Sequence, residues 1–321
     1  MKAILALVII AGLLTGCSLA QLTPLPIKPW NATVKVVGED GLPIGGANVL
    51  IGYTIPPYAF TDNPKYNGKF SGQTDTNGIY AAKHDDRSDS LGFSVQKSGY
   101  YSTHSTYRLG DPEQYVDRRN ISLTLTLKKI GQPIAMHAKR QEMKIQKEDE
   151  AIGFDLKAGD WVTPNGKGNH EDLYFTAHRK IYGEHEYDCN LTVTFPNKGD
   201  GLAVASTEPD GGSEFKTSRT AALDGYQPKL SLQFSNTNQP PAVFGYFIRV
   251  RTVLDDNGKV KSALYGKIPG NFRFFAGTKA PKAGMAFTYY LNPTANDRNV
   301  EFDLGRNLIR DLRPEEEVKT P

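Results

Sequence analysis

The sequence predicts an all-β protein made of two β-sandwiches in series. Its 321 residues include 31 Gly, 20 Pro, 16 Tyr and 15 Phe, the turn-rich and aromatic composition of β proteins. Apolar residues recur at every second position in short runs, the period of a half-buried strand. No helix pattern of useful length stands out in the larger C-terminal half. These observations divide the chain into a sandwich over 30–129, a charged connector over 130–152 and a second, larger β-rich unit over 153–312.

In the first unit, Thr33 to Val37 (TVKVV) alternates polar and apolar residues, as a strand with one buried face does. Glu39-Asp40-Gly41 forms a turn before a second strand, Asn48 to Gly52. Gln73 to Gly78 ends a strand in an Asn-Gly pair, whose residues supply the positive φ angles of a tight hairpin. Ile79 to Ala82 resumes the sheet, and Leu91 to Gln96 follows. Asn120 to Lys128 alternates throughout and places Ile121, Leu123, Leu125 and Leu127 on one face.

The order of these residues closely resembles the carboxypeptidase regulatory-like domain, a transthyretin-like Greek-key β-sandwich. The matching positions are Asp40-Gly41, Pro43-Ile44, Gly46-Ala47 and Val49, then Thr74-Asp75, Gly78 and Tyr80, and finally Lys97, Gly99 and Tyr100. The resemblance spans Trp30 to Lys129 and implies a non-catalytic accessory module. The segment from Tyr53 to Ser71 departs from the pattern, and its Tyr58, Phe60 and Tyr66 are candidate ligand-binding aromatics on an exposed loop, with a loop folded back over the sandwich edge as the favoured competing reading. Intradiol dioxygenases share the transthyretin-like fold and hold iron with two tyrosines and a His-x-His pair. This sequence contains no His-x-His, no His-x-x-Glu of metallocarboxypeptidases and no His-Glu-x-x-His zinc motif.

Met136 to Glu150 is charged without a good apolar face, so it is expected as an exposed connector or a strand along the first sandwich. From Gly153 the β pattern returns, giving about nine strands up to Leu304, enough for a second sandwich or jelly-roll. The strongest hairpin signal is Asp255-Asp256-Asn257-Gly258, between Tyr246–Leu254 and Lys259–Ile268. Arg313 to Pro321 is expected as a charged tail. No characterised family is recognised in this half.

The N-terminus gives an address. Met1-Lys2 is followed by an apolar run from Ala3 to Leu14 and by Leu14-Thr15-Gly16-Cys17. The run is shorter than the roughly 20 residues a membrane span needs. These residues resemble a bacterial lipoprotein signal over 1–17, which implies that Cys17 is acylated and becomes the new N-terminus. A cut after Ser18-Leu19-Ala20 by an ordinary signal peptidase is the alternative. Ser18 after the cysteine implies sorting to the outer membrane. The Pro-rich stretch 18–29 then reads as an extended tether. On either cut Cys189 has no partner, so no internal disulfide is expected.

His170, Glu171, Asp172, His178, Glu184, His185, Glu186 and Asp188 fall within 19 residues. Histidines and carboxylates suit zinc, manganese or non-haem iron. His170 and His178 flank a strand and would lie about 26 Å apart at 3.3 Å per residue. His178 and His185 could instead meet across a hairpin turning at Gly183, with Glu184 or Glu186 as a third ligand. A solvated polar turn is the competing reading, and no established ligand spacing favours metal. Cys189 lies within an expected strand, where a buried thiol is the commoner state. No phosphate-binding loop or Gly-x-Ser-x-Gly nucleophile elbow occurs. Two further aromatics, Trp161 and Tyr290, are candidate sugar-stacking surfaces, and rings that fill the sandwich core are the competing reading. Alternation turns Phe287 and Tyr289 inward and Tyr290 outward.

Charges nearly balance, 38 basic against 35 acidic, which argues against a nucleic-acid partner. The sequence therefore predicts a lipid-anchored, extracytoplasmic, non-enzymatic protein without a cofactor. It would bind glycan or protein partners at the envelope. A metal-dependent hydrolase using 170–188 and a purely structural envelope component are the alternatives.

Overall fold

The computed structural model describes residues 29–54, 67–85, 88, 90–109, 120–205, 212–277 and 279–321. The signal, the tether, Cys17, Tyr58, Phe60 and Tyr66 lie outside these residues. The fold is all-β, and no helix occurs among the described residues.

The first sandwich encloses one apolar core between two sheets. The smaller sheet has β1 (Trp30–Gly38) at its centre, antiparallel to β4 (Ile79–His84) and parallel to β7 (Asn120–Leu127). The larger sheet runs β3 (Asn67–Gln73), β2 (Asn48–Thr54), β5 (Ser90–Gln96) and β6 (Thr103–Arg108). Alternation sends Val34 and Val36 of β1, Ile121 and Leu125 of β7, Val49 and Ile51 of β2, and Leu91 and Phe93 of β5 into that core. The Asn-Gly turn forms as expected. Asp75 Oδ1 accepts from the N–H groups of Asn77 (2.9 Å) and Ile79 (2.8 Å), and Gly78 has φ +73°.

The second sandwich is larger. One sheet is ordered β10 (Asp160–Trp161), β9 (Ile152–Asp155), β11 (Leu173–Gly183), β12 (Glu186–Thr194), β14 (Lys229–Ser235). The facing sheet runs β13 (Gly201–Val204), β15 (Gly245–Leu254), β16 (Val260–Pro269), β18 (Gly284–Leu291), β8 (Ile134–Lys144), β19 (Phe302–Asn307), with β17 (Arg273–Phe275) beside β18. The expected connector is thus largely strand β8, paired in register with β18 and belonging to the second sandwich. Its charged residues hid it because Met136 and Ala138 enter one core while Met143 and Ile145 reach the other. This sheet is apolar on both faces, and long stretches of β16 and β18 are buried.

The third core cluster explains Tyr290. It packs with Phe302 (5.3 Å between ring centroids), Met136, Tyr265 and Val300 on the second face of the sheet. The C-terminal residues cover that face. The Tyr290 hydroxyl donates to Thr320 O at 2.8 Å, and Val318 packs against the cluster. The expected charged tail is therefore folded onto the sandwich, and Glu316 pairs with Lys139 at 3.0 Å.

A fork between a half-buried arginine and two buried aspartates links the two sheets of this sandwich. Arg251 sits at an irregularity in β15 with φ +56°. Its guanidinium donates to both oxygens of Asp172 (2.7 and 3.0 Å) and to Asp155 (3.1 Å). Burial alone would raise the Asp155 pKa, but N–H groups of Ala158, Asn169 and Lys157, together with Arg251, hold it below the ordinary value.

The sandwiches meet at a polar junction. Glu301 is buried and accepts from Tyr101 Oη, Gly131 N and Gln132 N, each at 2.8 Å. Arg219 makes a two-pronged pair with Glu39, both contacts at 2.8 Å. Residues 212–214 of the second sandwich bond along the edge of the first, through His104 N to Gly212 O and Glu214 N to Ser102 O.

Candidate functional site

The site with the most chemistry lies on the outer face of the smaller sheet in the second sandwich. β11 and β12 form a hairpin turning at Glu184-His185, and β14 pairs with the far side of β12. Alternation sends Ala177, Cys189, Leu191 and Phe234 into the core. The intervening residues face outward in rows. His178, Asn190 and Gln233 form one row, and Lys180, Asp188 and Ser235 the next. Neighbouring strands are about 4.8 Å apart, so each row is a contiguous strip of polar groups. Together with Tyr182 and Asn238 these residues line a cavity of about 320 Å³.

Local chemistry shapes its rim. Ser235 Oγ accepts from Asn238 N (2.9 Å), and Ser235 N donates to Asn238 O (2.7 Å), folding 235–238 back at the end of β14. The Tyr182 ring is 63% exposed, yet its hydroxyl donates to Asp188 Oδ2 at 3.2 Å. That bond lifts the Tyr182 phenol above its ordinary pKa. His178 Nδ1 lies 2.5 Å from Asp149 Oδ1. Thr192 Oγ1 donates to Asn190 Oδ1 at 2.9 Å.

The predicted metal residues do not converge. His178 pairs with Asp149, His185 lies 3.8 Å from Glu184 in the turn, and His170 lies 3.6 Å from Asp172. Three histidines thus face three different acids. Among the described residues no three His, Cys, Asp or Glu side chains are placed to hold one ion. The hairpin through Gly183 exists, but His178 pairs in register with Asn190, five residues before Gly183 and about 17 Å away along the strand. Glu186 is exposed at the start of β12. Asp172 is taken up by Arg251. Burial raises the Cys189 thiol to about 11, which suppresses the thiolate a nucleophile needs.

The predicted aromatic surfaces fare similarly. Trp161 is buried and meets Phe154 and Phe175 edge-on at 5.7 and 5.8 Å in the main core. Tyr290 is fully buried, because its sheet is covered on both faces. Neither presents a ring to solvent. The sequence reading missed Tyr182, Asn190, Gln233 and Asn238. Period-two alternation marks 190 and 233 as outward, but the pairing of β12 with β14 is non-local and leaves no sign in either segment.

No family model matches this chain, and no curated protein matches it. Solved structures give slight likenesses. 3-Chlorocatechol 1,2-dioxygenase from Rhodococcus opacus 1CP is 14% identical over 32% of this chain and 60% of its own, with a TM-score of 0.25. Catechol 1,2-dioxygenase from Acinetobacter radioresistens is 16% identical over 33% and 54%, also at 0.25. Chlorocatechol 1,2-dioxygenase from Pseudomonas putida is 18% identical over 32% and 61%, again at 0.25. The chain thus spans between half and two thirds of the length of each. Scores at this level bring neither an activity nor a ligand to this chain.

Proposed function

We propose that this protein is a lipid-anchored, extracytoplasmic binding protein without catalytic activity, holding an envelope partner on the outer face of β11, β12 and β14. The observation that carries this reading is the cavity itself. It is open, lined by hydrogen-bonding side chains of both signs, and floored by a sheet whose other face is core. Its only thiol is turned inward and disfavoured as thiolate, and its histidine is paired with Asp149 rather than poised beside a nucleophile. The lining mixes hydrogen-bonding side chains with the apolar surface of Tyr182, Cys189 and Phe234, the mixture that ligand pockets use. The Leu14-Thr15-Gly16-Cys17 sequence supports the anchor, and the first sandwich would then stand between the membrane and the binding face.

Two measurements test this. Metabolic labelling with palmitate should tag the full chain and fail with Cys17→Ala, which should also leave the membrane fraction. An envelope fraction passed over the immobilised full chain should leave a bound component that Asp188→Ala/Asn190→Ala releases. Absence of both label and bound component would overturn the proposal.

A further inference from the structure

We propose that the cavity on β11, β12 and β14 takes an uncharged saccharide, with one sugar ring stacked on Tyr182 and its hydroxyls gripped by Asp188, Asn190 and Gln233. This rests on reading that face as the contact surface, and it names the ligand.

The chemistry of the lining narrows the choice. Among the lining residues Lys180 faces Asp188, one charge of each sign, so the lining has no excess of either. An anion would meet Asp188, and a cation would meet Lys180 directly across the strand pair. Each is penalised by a like charge at close range. An apolar peptide or acyl chain would find amides, a hydroxyl and charges where it needs greasy walls. A neutral polyhydroxyl ligand avoids all three conflicts. Its hydroxyls both donate and accept, and the strips offer both kinds of partner at sheet spacing.

Tyr182 supplies the second requirement. A phenol ring at the end of a hairpin would ordinarily be free to swing. Here its hydroxyl is tethered to Asp188 Oδ2 while most of the ring stays in solvent. The ring is thus a fixed apolar plate beside a polar strip, which suits the two-sided character of a pyranose. One face of such a sugar is C–H and the rim is hydroxyl. Asn190 contributes a directed donor. Its carbonyl is occupied by Thr192, and its NH2 has no partner among the described residues. At about 320 Å³ the cavity is at the small end of ligand sites, about 300–1,000 Å³. It fits a terminal unit or a short segment of a chain.

The test is calorimetric titration of the full chain in detergent micelles. The probes are neutral hexasaccharides of glucose, mannose and N-acetylglucosamine, beside oligogalacturonate and oligoglucosamine as charged controls. At least one neutral probe should bind, and both charged probes should bind more weakly. Tyr182→Ala should weaken that binding ten-fold or more, whereas Tyr182→Phe, which keeps the ring but loses the tether to Asp188, should weaken it by less than Tyr182→Ala does. Tyr182 is exposed, so both variants should fold, which matching thermal transitions would establish. Binding that favours a charged probe, or that ignores Tyr182→Ala, would overturn the saccharide assignment. Should no probe bind while the envelope component is still captured and still released by Asp188→Ala/Asn190→Ala, the assignment falls and the binding face stands. Should neither occur, both fall.

Discussion

Lys267 Nζ lies 4.5 Å from the centre of the Phe215 ring, fully buried where the two sandwiches meet. The Tyr290 ring stands 4.8 Å from the same amine. Phe215 itself stacks on Tyr101 of the first sandwich at 5.1 Å and is approached by Lys128 (5.8 Å) and Arg219 (5.7 Å). Three basic side chains thus surround one ring, and Arg219 among them is paired with Glu39 and lies 3.7 Å from Glu301. Burial drives the Lys267 pKa down to about 7, the Glu301 charge opposes the shift, and the Lys128 charge adds to it.

Lys267→Met should therefore stabilise the protein in a pH-dependent way. Between pH 7 and the ordinary 10.5, the unfolded chain holds a proton on this amine that the folded chain lacks. Stability rises with pH across that window, and below pH 7 the deficit is complete. Removing the amine should gain on the order of 1–4 kcal/mol at pH 6, the usual benefit of replacing a buried charge by an apolar group. The gain should shrink at pH 8 and shrink further at pH 10. Urea titrations at these three pH values measure it, and a gain independent of pH would contradict the account.

Glu301→Ala should loosen the junction. It removes the acceptor for Tyr101 Oη and for two backbone N–H groups at the start of the inter-sandwich segment. The buried Tyr101 hydroxyl left unpaired costs about 1–3 kcal/mol, while the N–H groups of the exposed Gly131 and Gln132 can turn to water. A loss of about 1–3 kcal/mol is expected, together with faster proteolytic cleavage between Lys129 and Ile134. Asp256→Ala, exposed on the Asp255–Gly258 turn and outside this network, should change neither reading.

Local periodicity made the first sandwich legible. Ile121, Leu123, Leu125 and Leu127 do share a face, and both Asp-x-x-Gly turns fall where the sequence places them. Strand β8 was hidden because it sits mid-sheet with two different cores, so its apolar residues never form a single stripe. Tyr290 misled for the same reason. Alternation tells which face a residue takes, not whether that face is covered, and the cover comes from the distant Val318 and Thr320. The histidines drew attention by proximity in sequence, whereas Tyr182 carries no local mark beyond being aromatic at a hairpin end.

Asp172→Ala should be the most damaging single change inside the second sandwich. It leaves the half-buried Arg251 guanidinium beside Asp155 alone and frees Leu156 N, which now donates to Asp172 Oδ2 at 2.8 Å. Breaking one side of such a pair costs about 3–5 kcal/mol. Asp172→Ala/Arg251→Met should recover part of that loss, because the stranded charge goes with it. Guanidinium unfolding of the three proteins decides this, and a double variant no better than the single one would refute the coupling.

Gly78→Ala and Gly258→Ala separate two reasons for a turn glycine. Both residues end an Asp-x-x-Gly turn whose Asp side chain accepts two backbone N–H groups. Both have positive φ, +73° and +75°. A Cβ at Gly258 meets nothing within 4 Å, so alanine there bears only the left-handed backbone cost of about 1–2 kcal/mol. A Cβ at Gly78 would stand 2.4 Å from Val36 O and 3.1 Å from Ile44 N. Those are backbone atoms of the packed first sandwich, Val36 in its central strand β1, and cannot rotate aside. Gly78→Ala should therefore cost a further 1–3 kcal/mol or so, the usual scale of overpacking. Thermal unfolding of the two variants side by side gives the difference directly. Equal losses would show that the first sandwich yields around this turn.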